Sequence, residues 1–182
     1  MSELEGKTVA FLLTDGYEDS ELTSPWEAVT AAGANATVVA PEEGQVEGKK
    51  GHKAPVDLTT SAADEKDFDA LVLPGGVVNA DHLRMDQEAV AFTKAFFASG
   101  KPVGVICHGG WILTDADVLQ GRTITSYPSL RTDLVNAGAT WVDEEVVVDQ
   151  GLVSSRTPDD LPAFNAKLVE EFSEGRHEGQ TA

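Results

Sequence analysis

With 182 residues, 41% of them hydrophobic and 24% charged, the chain has the size and composition of one globular domain able to close a full core. Its formal net charge of −18 repels nucleic acid and anionic membranes, and no apolar run approaches the ~18 residues that span a bilayer. A single cysteine permits no internal disulfide, and the polar opening Met1 to Lys7 has no signal-peptide character, so a reducing, cytoplasmic location is expected.

The elements alternate. Lys7 to Thr14 is a short apolar run that suits the centre of a parallel sheet, ended by Asp15-Gly16. Glu21 to Ala32 follows as a helix with Leu22, Trp26 and Val29 facing a core and Gly33 closing it, and Ala36 to Ala40 is the next strand. Pro41 to Ser61 is polar and glycine-rich, with weak strand signals near Val46 and Val56, and is expected as a hairpin or surface loop. Ala70 to Leu73 is a third buried strand breaking into Pro74-Gly75-Gly76. Helical spacing runs over Gln87 to Ser99, and Val103 to Ile106 is a fourth strand leading straight into Cys107. A helix over Trp111 to Leu119, a short strand at Thr123 to Ser126 and a helix over Ser129 to Asn136 come next. A β-hairpin spans residues 144–155, turning at Asp149-Gln150-Gly151. Thr157-Pro158 is expected to open a last helix reaching about Phe172, with Thr157 as its cap. Residues 1–173 therefore read as one α/β domain with a mostly parallel sheet covered on both faces, and 174–182 as a loose polar tail.

In such sheets ligands gather at the carboxyl ends of the strands. Three segments end up there: Asp15-Gly16-Tyr17-Glu18, Pro74-Gly75-Gly76 and Cys107-His108-Gly109-Gly110. Cys107 occupies a strand–turn–helix junction, where free N–H groups at a helix start favour thiolate, and is the candidate nucleophile. His108 is adjacent, but neighbours at a sharp turn often point apart. It is therefore expected to act as a base toward substrate, or through its N–H on an oxyanion, rather than in a simple Cys-His pair. Glu18 is either a carboxyl donating to the sulfur or a plain helix-start acid, a part Asp19 and Glu21 could equally play. Gly75 and Gly76 can bring N–H groups to a substrate oxygen. His52, His82 and His177 sit in polar segments as surface histidines, and no spacing suggests a metal or cofactor site. The acidic residues are scattered, which suits a solvated surface, in keeping with a salty cytoplasm, better than a patch for a basic partner.

The segments DGYEDSEL (15–22), LVLPGG (71–76), VICHG (105–109) and VSSRTPDDL (153–161) resemble the PfpI-like family of intracellular cysteine peptidases and deglycases, within the class I glutamine-amidotransferase-like superfamily. The resemblance runs from about Lys7 to Phe172. It implies a flavodoxin-like three-layer sandwich with Cys107 at a nucleophile elbow and Glu18 bonded to its sulfur. It also implies a homodimer or higher homo-oligomer in which Asp81 of a neighbour completes His108, and a pocket-lining Tyr127. Gly109 and Trp111, beside the elbow, join Gly75, Gly76 and Tyr127 as oxyanion or substrate-contacting candidates. The chain departs from many relatives in carrying Gly109-Gly110-Trp111 where they have proline after Cys-His, and Asp81 where some have glutamate. The expected function is a cysteine-dependent hydrolase in stress protection, without cofactor, acting on peptides or on methylglyoxal and glyoxal adducts. The alternative is a non-catalytic oxidative-stress sensor or chaperone using oxidation of Cys107.

Overall fold

The computed structural model describes residues 1–180. The chain runs β1 (Thr8–Leu12), α1 (Asp19–Ala31), β2 (Asn35–Ala40), β3 (Gln45–Glu47), β4 (Lys53–Pro55), β5 (Leu58–Thr59) and β6 (Ala70–Leu73). It continues through α2 (Val77–Leu83), α3 (Gln87–Ala98), β7 (Val103–Ile106), a 3-10 turn at Cys107–Trp111, α4 (Ile112–Ala116) and β8 (Thr123–Ile124). It closes with α5 (Arg131–Asn136), β9 (Thr140–Trp141), β10 (Val147–Asp149), β11 (Leu152–Ser155) and α6 (Leu161–Glu174).

Seven strands form the main sheet in the order β10-β11-β7-β6-β1-β2-β5, all neighbours parallel except the β10–β11 hairpin. Side chains alternate across a strand, so β1 feeds two cores. Val9 and Phe11 pack with Leu22 and Val29 of α1 and Phe164, Leu168 and Phe172 of α6. Ala10 and Leu12 pack on the other face with Phe92, Phe96 and Phe97 of α3, Leu113 of α4 and Leu134 of α5. Burial on both faces is why these strands read as unbroken apolar runs. The result is the expected flavodoxin-like three-layer sandwich. Because β7, β6 and β1 are adjacent, the loops leaving their carboxyl ends meet over the middle of the sheet.

The structure departs from expectation in several places. Residues 41–61 hold the expected hairpin as β3–β4, but it is tied down and followed by a strand of the main sheet, β5: Glu47 donates its N–H to Asp15 Oδ1 in the loop after β1 (2.8 Å), and Lys50 and His52 donate theirs to Asp19 at the start of α1 (3.1 and 3.0 Å). The helix α2 was not expected, since its seven residues begin Val77-Val78 after Gly76 and carry no side-chain cap. Thr157 makes no side-chain cap. Asp160 instead accepts the Arg156 N–H at 2.9 Å and binds its guanidinium at 2.9 and 3.0 Å. The expected loose tail is packed as far as 180: His177 donates its N–H to Gly100 O (2.8 Å), and the buried Gln180 accepts from Arg122 (2.8 Å) and donates to Lys101 O (3.2 Å). The last two residues of that tail, 181 and 182, lie outside the described residues.

Candidate active site

β7 ends at Ile106 and Cys107 turns into the left-handed region (φ 60), a conformation that costs a non-glycine residue about 1–3 kcal/mol. The elbow is held from outside by Tyr127, which donates its N–H to Cys107 O (3.1 Å). It is also held from below, since a Cβ on Gly109 would collide with Leu73 O of β6. Gly109 is thus a packing requirement of the elbow. Cys107 is 9% exposed.

The Pro74-Gly75-Gly76 loop closes one side. Gly76 has φ +92, and a Cβ there would lie 2.7 Å from Glu18 N. The fully buried Asn79 of α2 donates to Pro74 O (3.1 Å) and Gly75 O (2.9 Å) and accepts from Thr14 N–H (2.7 Å), fastening this loop to the one after β1. The N–H groups of Gly76 and His108 both bond toward the Cys107 sulfur. Gly75 N–H is directed elsewhere, to Glu21 Oε1 at 2.9 Å, so it is not free for an oxyanion.

The expected bond from Glu18 to the sulfur is not made. Glu18 precedes α1 in extended conformation, and its carboxylate is taken by Lys49 and by Lys50 (3.1 Å) from the β3–β4 turn. Burial would raise its pKa, but these two lysines outweigh burial and hold the carboxyl below its usual range. The carboxyl beside the thiol belongs to Glu21, in the first turn of α1 and 0% exposed. Glu21 Oε1 and Cys107 Cβ both crowd the point where Gly75 would carry a side chain. Among the described residues Glu21 Oε2 has no partner of proper hydrogen-bond geometry. Burial, then the charge of Glu18, pushes the Glu21 carboxyl up to about 8 against the pull of Gly75 N–H and Lys49. Burial and the Glu21 charge push the Cys107 thiol up to about 12, while the Gly76 and His108 N–H groups pull it down. The direction of both shifts means that the pair keeps at least one proton at neutral pH, because two buried anions in contact are costly.

His108 does contact the thiol, contrary to expectation: Nδ1 lies 3.3 Å from Cys107 Sγ. The left-handed backbone at Cys107 and the tight turn after it bring the two side chains to one cleft. On its far side Nε2 lies 3.2 Å from Ser129 Oγ, and the ring stacks on Tyr127 at 4.7 Å. Burial, then the Lys49 charge, lowers the His108 pKa, so the imidazole is neutral near pH 7. Trp111 walls the cleft; its Nε1 donates to Asp133 (3.0 Å) and Arg84 lies 4.6 Å over its ring. Asp81 is exposed on α2 and makes no bond to His108 within the chain. A groove of about 470 Å³ between α1, β2 and the β3–β4 hairpin does not include Cys107 in its walls. The convergence of reactive groups, not cavity size, marks the site.

Sequence reasoning missed Glu21, Lys49, Lys50, Asn79 and Ser129. Glu21 was named only as a helix-start acid, Lys49 and Lys50 lie in the segment expected as a hairpin or surface loop, Asn79 follows the Pro-Gly-Gly turn, and Ser129 opens a helix expected for its fold rather than its chemistry. The available signal was helical phase: Glu21 is one residue from Leu22 and four from Pro25, both buried on α1.

An α/β sandwich with a cysteine in a left-handed elbow, a histidine on its sulfur and a buried carboxyl beside it defines a protein of the cysteine-elbow class. The family model described as the DJ-1/PfpI family matches residues 7–171, and the chain belongs to that family. It is 49% identical over 164 residues to the putative cysteine protease YraA of Bacillus subtilis, covering 90% of this chain and 96% of the relative. It is 50% identical over 167 residues to general stress protein 18 of Bacillus subtilis, with 90% and 96% covered. It is 44% identical over 161 residues to the deglycase PH1704 of Pyrococcus horikoshii, with 88% and 96% covered. No helix among the described residues is long and apolar enough to cross a membrane.

Proposed function

We propose that this chain is a cysteine-dependent hydrolase that works through Cys107 on peptides or on methylglyoxal and glyoxal adducts of amines and thiols. The observation that carries this reading is the 3.3 Å approach of a neutral His108 Nδ1 to the enclosed Cys107 sulfur. The protease, deglycase and stress-protein names of close relatives support it. With Nε2–H donated to Ser129 Oγ, the Nδ1 lone pair faces the thiol. As Sγ bonds to the substrate carbonyl carbon, its proton passes to Nδ1 and the carbonyl oxygen takes the charge beside the Gly76 and His108 N–H groups. With a peptide, collapse of this intermediate breaks the bond to the leaving amine, which takes the proton from His108. With an adduct, the amine or thiol departs as its carbon reverts to an aldehyde, Sγ adds to that aldehyde, and the C–H proton moves through His108 to the neighbouring carbonyl carbon to leave the same kind of thioester. Water, giving a proton to the same nitrogen, then releases the acid and restores the thiol. Glu21, protonated near neutrality, withholds a negative charge from the emerging thiolate.

The test is an activity panel on purified protein, wild type beside Cys107→Ser, with a fluorogenic peptide, methylglyoxal and a glycated thiol. Turnover on at least one that is lost in Cys107→Ser is expected; no cysteine-dependent turnover on any would sink the reading. Cytoplasmic reduction keeps this lone thiol free in our reading. The exposure of Asp81 leaves it available to a neighbouring protomer's His108. If it completes that site, specific activity falls on dilution through the dissociation range, and Asp81→Ala protein shows the low activity at every concentration.

One observation favours a second reading. A buried carboxyl that keeps its proton up to about 8 beside the only thiol can donate a hydrogen bond to an oxidised sulfur, which suits a peroxide sensor. Inactivity across the panel together with stoichiometric oxidation of Cys107 by dilute peroxide, seen by mass spectrometry, is the outcome that selects it.

A further inference from the structure

At the end of the sheet remote from Cys107, the close of α6 gathers Glu171, Glu174 and His177. Glu171 and Glu174, three apart, share a helix face. The chain then reverses at Gly175 (φ +83) and brings His177 back over them, fixed by its N–H on Gly100 O (2.8 Å) and by packing of its ring on the Gly151 turn. His177 Nε2 lies 3.0 Å from Glu171 Oε2 and 3.5 Å from Glu174 Oε2, and one ligand atom from each residue lies within 4.8 Å of the other two. Zinc bonds of about 2.0–2.2 Å in a tetrahedral site set neighbouring ligand atoms roughly 3.3–3.5 Å apart. The spacing at Nε2 brackets that edge.

A second observation separates this cluster from an ordinary surface ion pair. Glu171 is 6% exposed, and its Oε2 and His177 Nε2 are both enclosed, yet neither makes a properly aligned hydrogen bond despite their 3.0 Å approach. The one partner of this enclosed carboxylate oxygen among the described residues is His177 Nε2, itself a member of the cluster, and a cation between the three groups would satisfy both atoms at once. Among the described residues no lysine or arginine pairs with Glu171 or Glu174; Lys167 is engaged by Glu170 at 2.8 Å. A nitrogen ligand and few oxygens suit a transition metal rather than calcium or magnesium.

We propose that Glu171, Glu174 and His177 bind one zinc ion, with water as the fourth ligand. The ion clips the segment around His177, which already bonds the turn before β7 and packs on the turn before β11, to the last turns of α6. Those turns lie at the amino ends of their strands, whereas Cys107 lies at the carboxyl end of β7, so the site is independent of the hydrolase reading.

The experiment uses full-length, chelator-stripped Cys107→Ser protein, which removes the thiol as a rival ligand. Zinc titration by calorimetry is expected to give one ion per chain, and zinc to raise the thermal midpoint. In the same background His177→Ala, Glu171→Gln and the exposed Glu174→Gln are each expected to weaken binding at least about tenfold and abolish the zinc-dependent shift. Circular dichroism verifies the fold of each variant, and Glu174→Gln, at an exposed position, keeps the test decisive if a buried variant unfolds. Absence of zinc binding, undiminished binding in His177→Ala and Glu174→Gln, or equal competition by calcium or magnesium overturns the proposal.

Discussion

At the scale of single residues, the site turns on where protons sit among Cys107, Glu21 and His108. Glu21 is raised from 4.5 to about 8 in the folded protein, so the folded state binds its proton more tightly than the unfolded chain does. That contribution is fully present below about pH 4.5 and lost as pH rises through about 8, a loss on the order of 4 kcal/mol for so buried a group. Glu21→Gln is expected to flatten this dependence in urea melts taken from pH 5 to pH 8.5. It should also lower the midpoint at which Cys107 thiolate absorbance appears near 240 nm, since the charge opposing the thiolate is gone. An unchanged thiolate midpoint would show that the two groups are uncoupled. His108 is expected to carry more of the rate than its support: His108→Ala should lower kcat/KM by about 10²–10⁴, and Ser129→Ala by roughly tenfold, measured on whichever panel substrate is turned over. Equal effects of the two changes would contradict the assignment of Ser129 as a positioning residue.

At the scale of elements, the elbow is a consequence of close backbone approach. The 3-10 turn at Cys107–Trp111 packs its Gly109 Cα against Leu73 O, leaving no space for a methyl group. Gly109→Ala must move either β6 or the turn that carries the thiol, at a cost of about 1–3 kcal/mol. Chemical melts should show that loss, and iodoacetamide should label Cys107 at an altered rate even in the folded fraction. Gly110→Ala is the control, because a Cβ there meets only Val105 and Ile124 at 3.5 Å or more. The β3–β4 hairpin shows the same logic in reverse. Its polar residues leave hairpin and surface loop undecided in the sequence because neither strand has more than one buried side chain. Long-range bonds to Asp15 and Asp19 settle it beside the thiol and deliver Lys49 and Lys50 to Glu18.

At the scale of the whole molecule, the net charge of −18 is spread over loops and helix faces, and few of its carboxylates find a cation. Repulsion of this kind is long-ranged and screened by salt, so raising KCl from about 0.1 M to about 1 M should lift the thermal midpoint by upwards of about 3 °C. A midpoint that falls with salt would show that the ion pairs, rather than the unpaired surface charge, dominate. The alternation of strands and helices, the two-faced burial of β1, β6 and β7, and the placing of Cys107 beside two glycine-rich loops were all legible in the chain, because periodicity and turn chemistry are local. Which carboxyl faces the thiol was not legible. Glu18 and Glu21 are three residues apart in the same acidic run, and only the phase of α1 against the Gly75 loop sends Glu21 inward and leaves Glu18 to the lysines. Ser129 behind His108, Asn79 between two loops and His177 over Glu171 were hidden for the same reason. Each depends on contacts between segments far apart in sequence or across a chain reversal, and such contacts exist only once the sheet has brought those segments together.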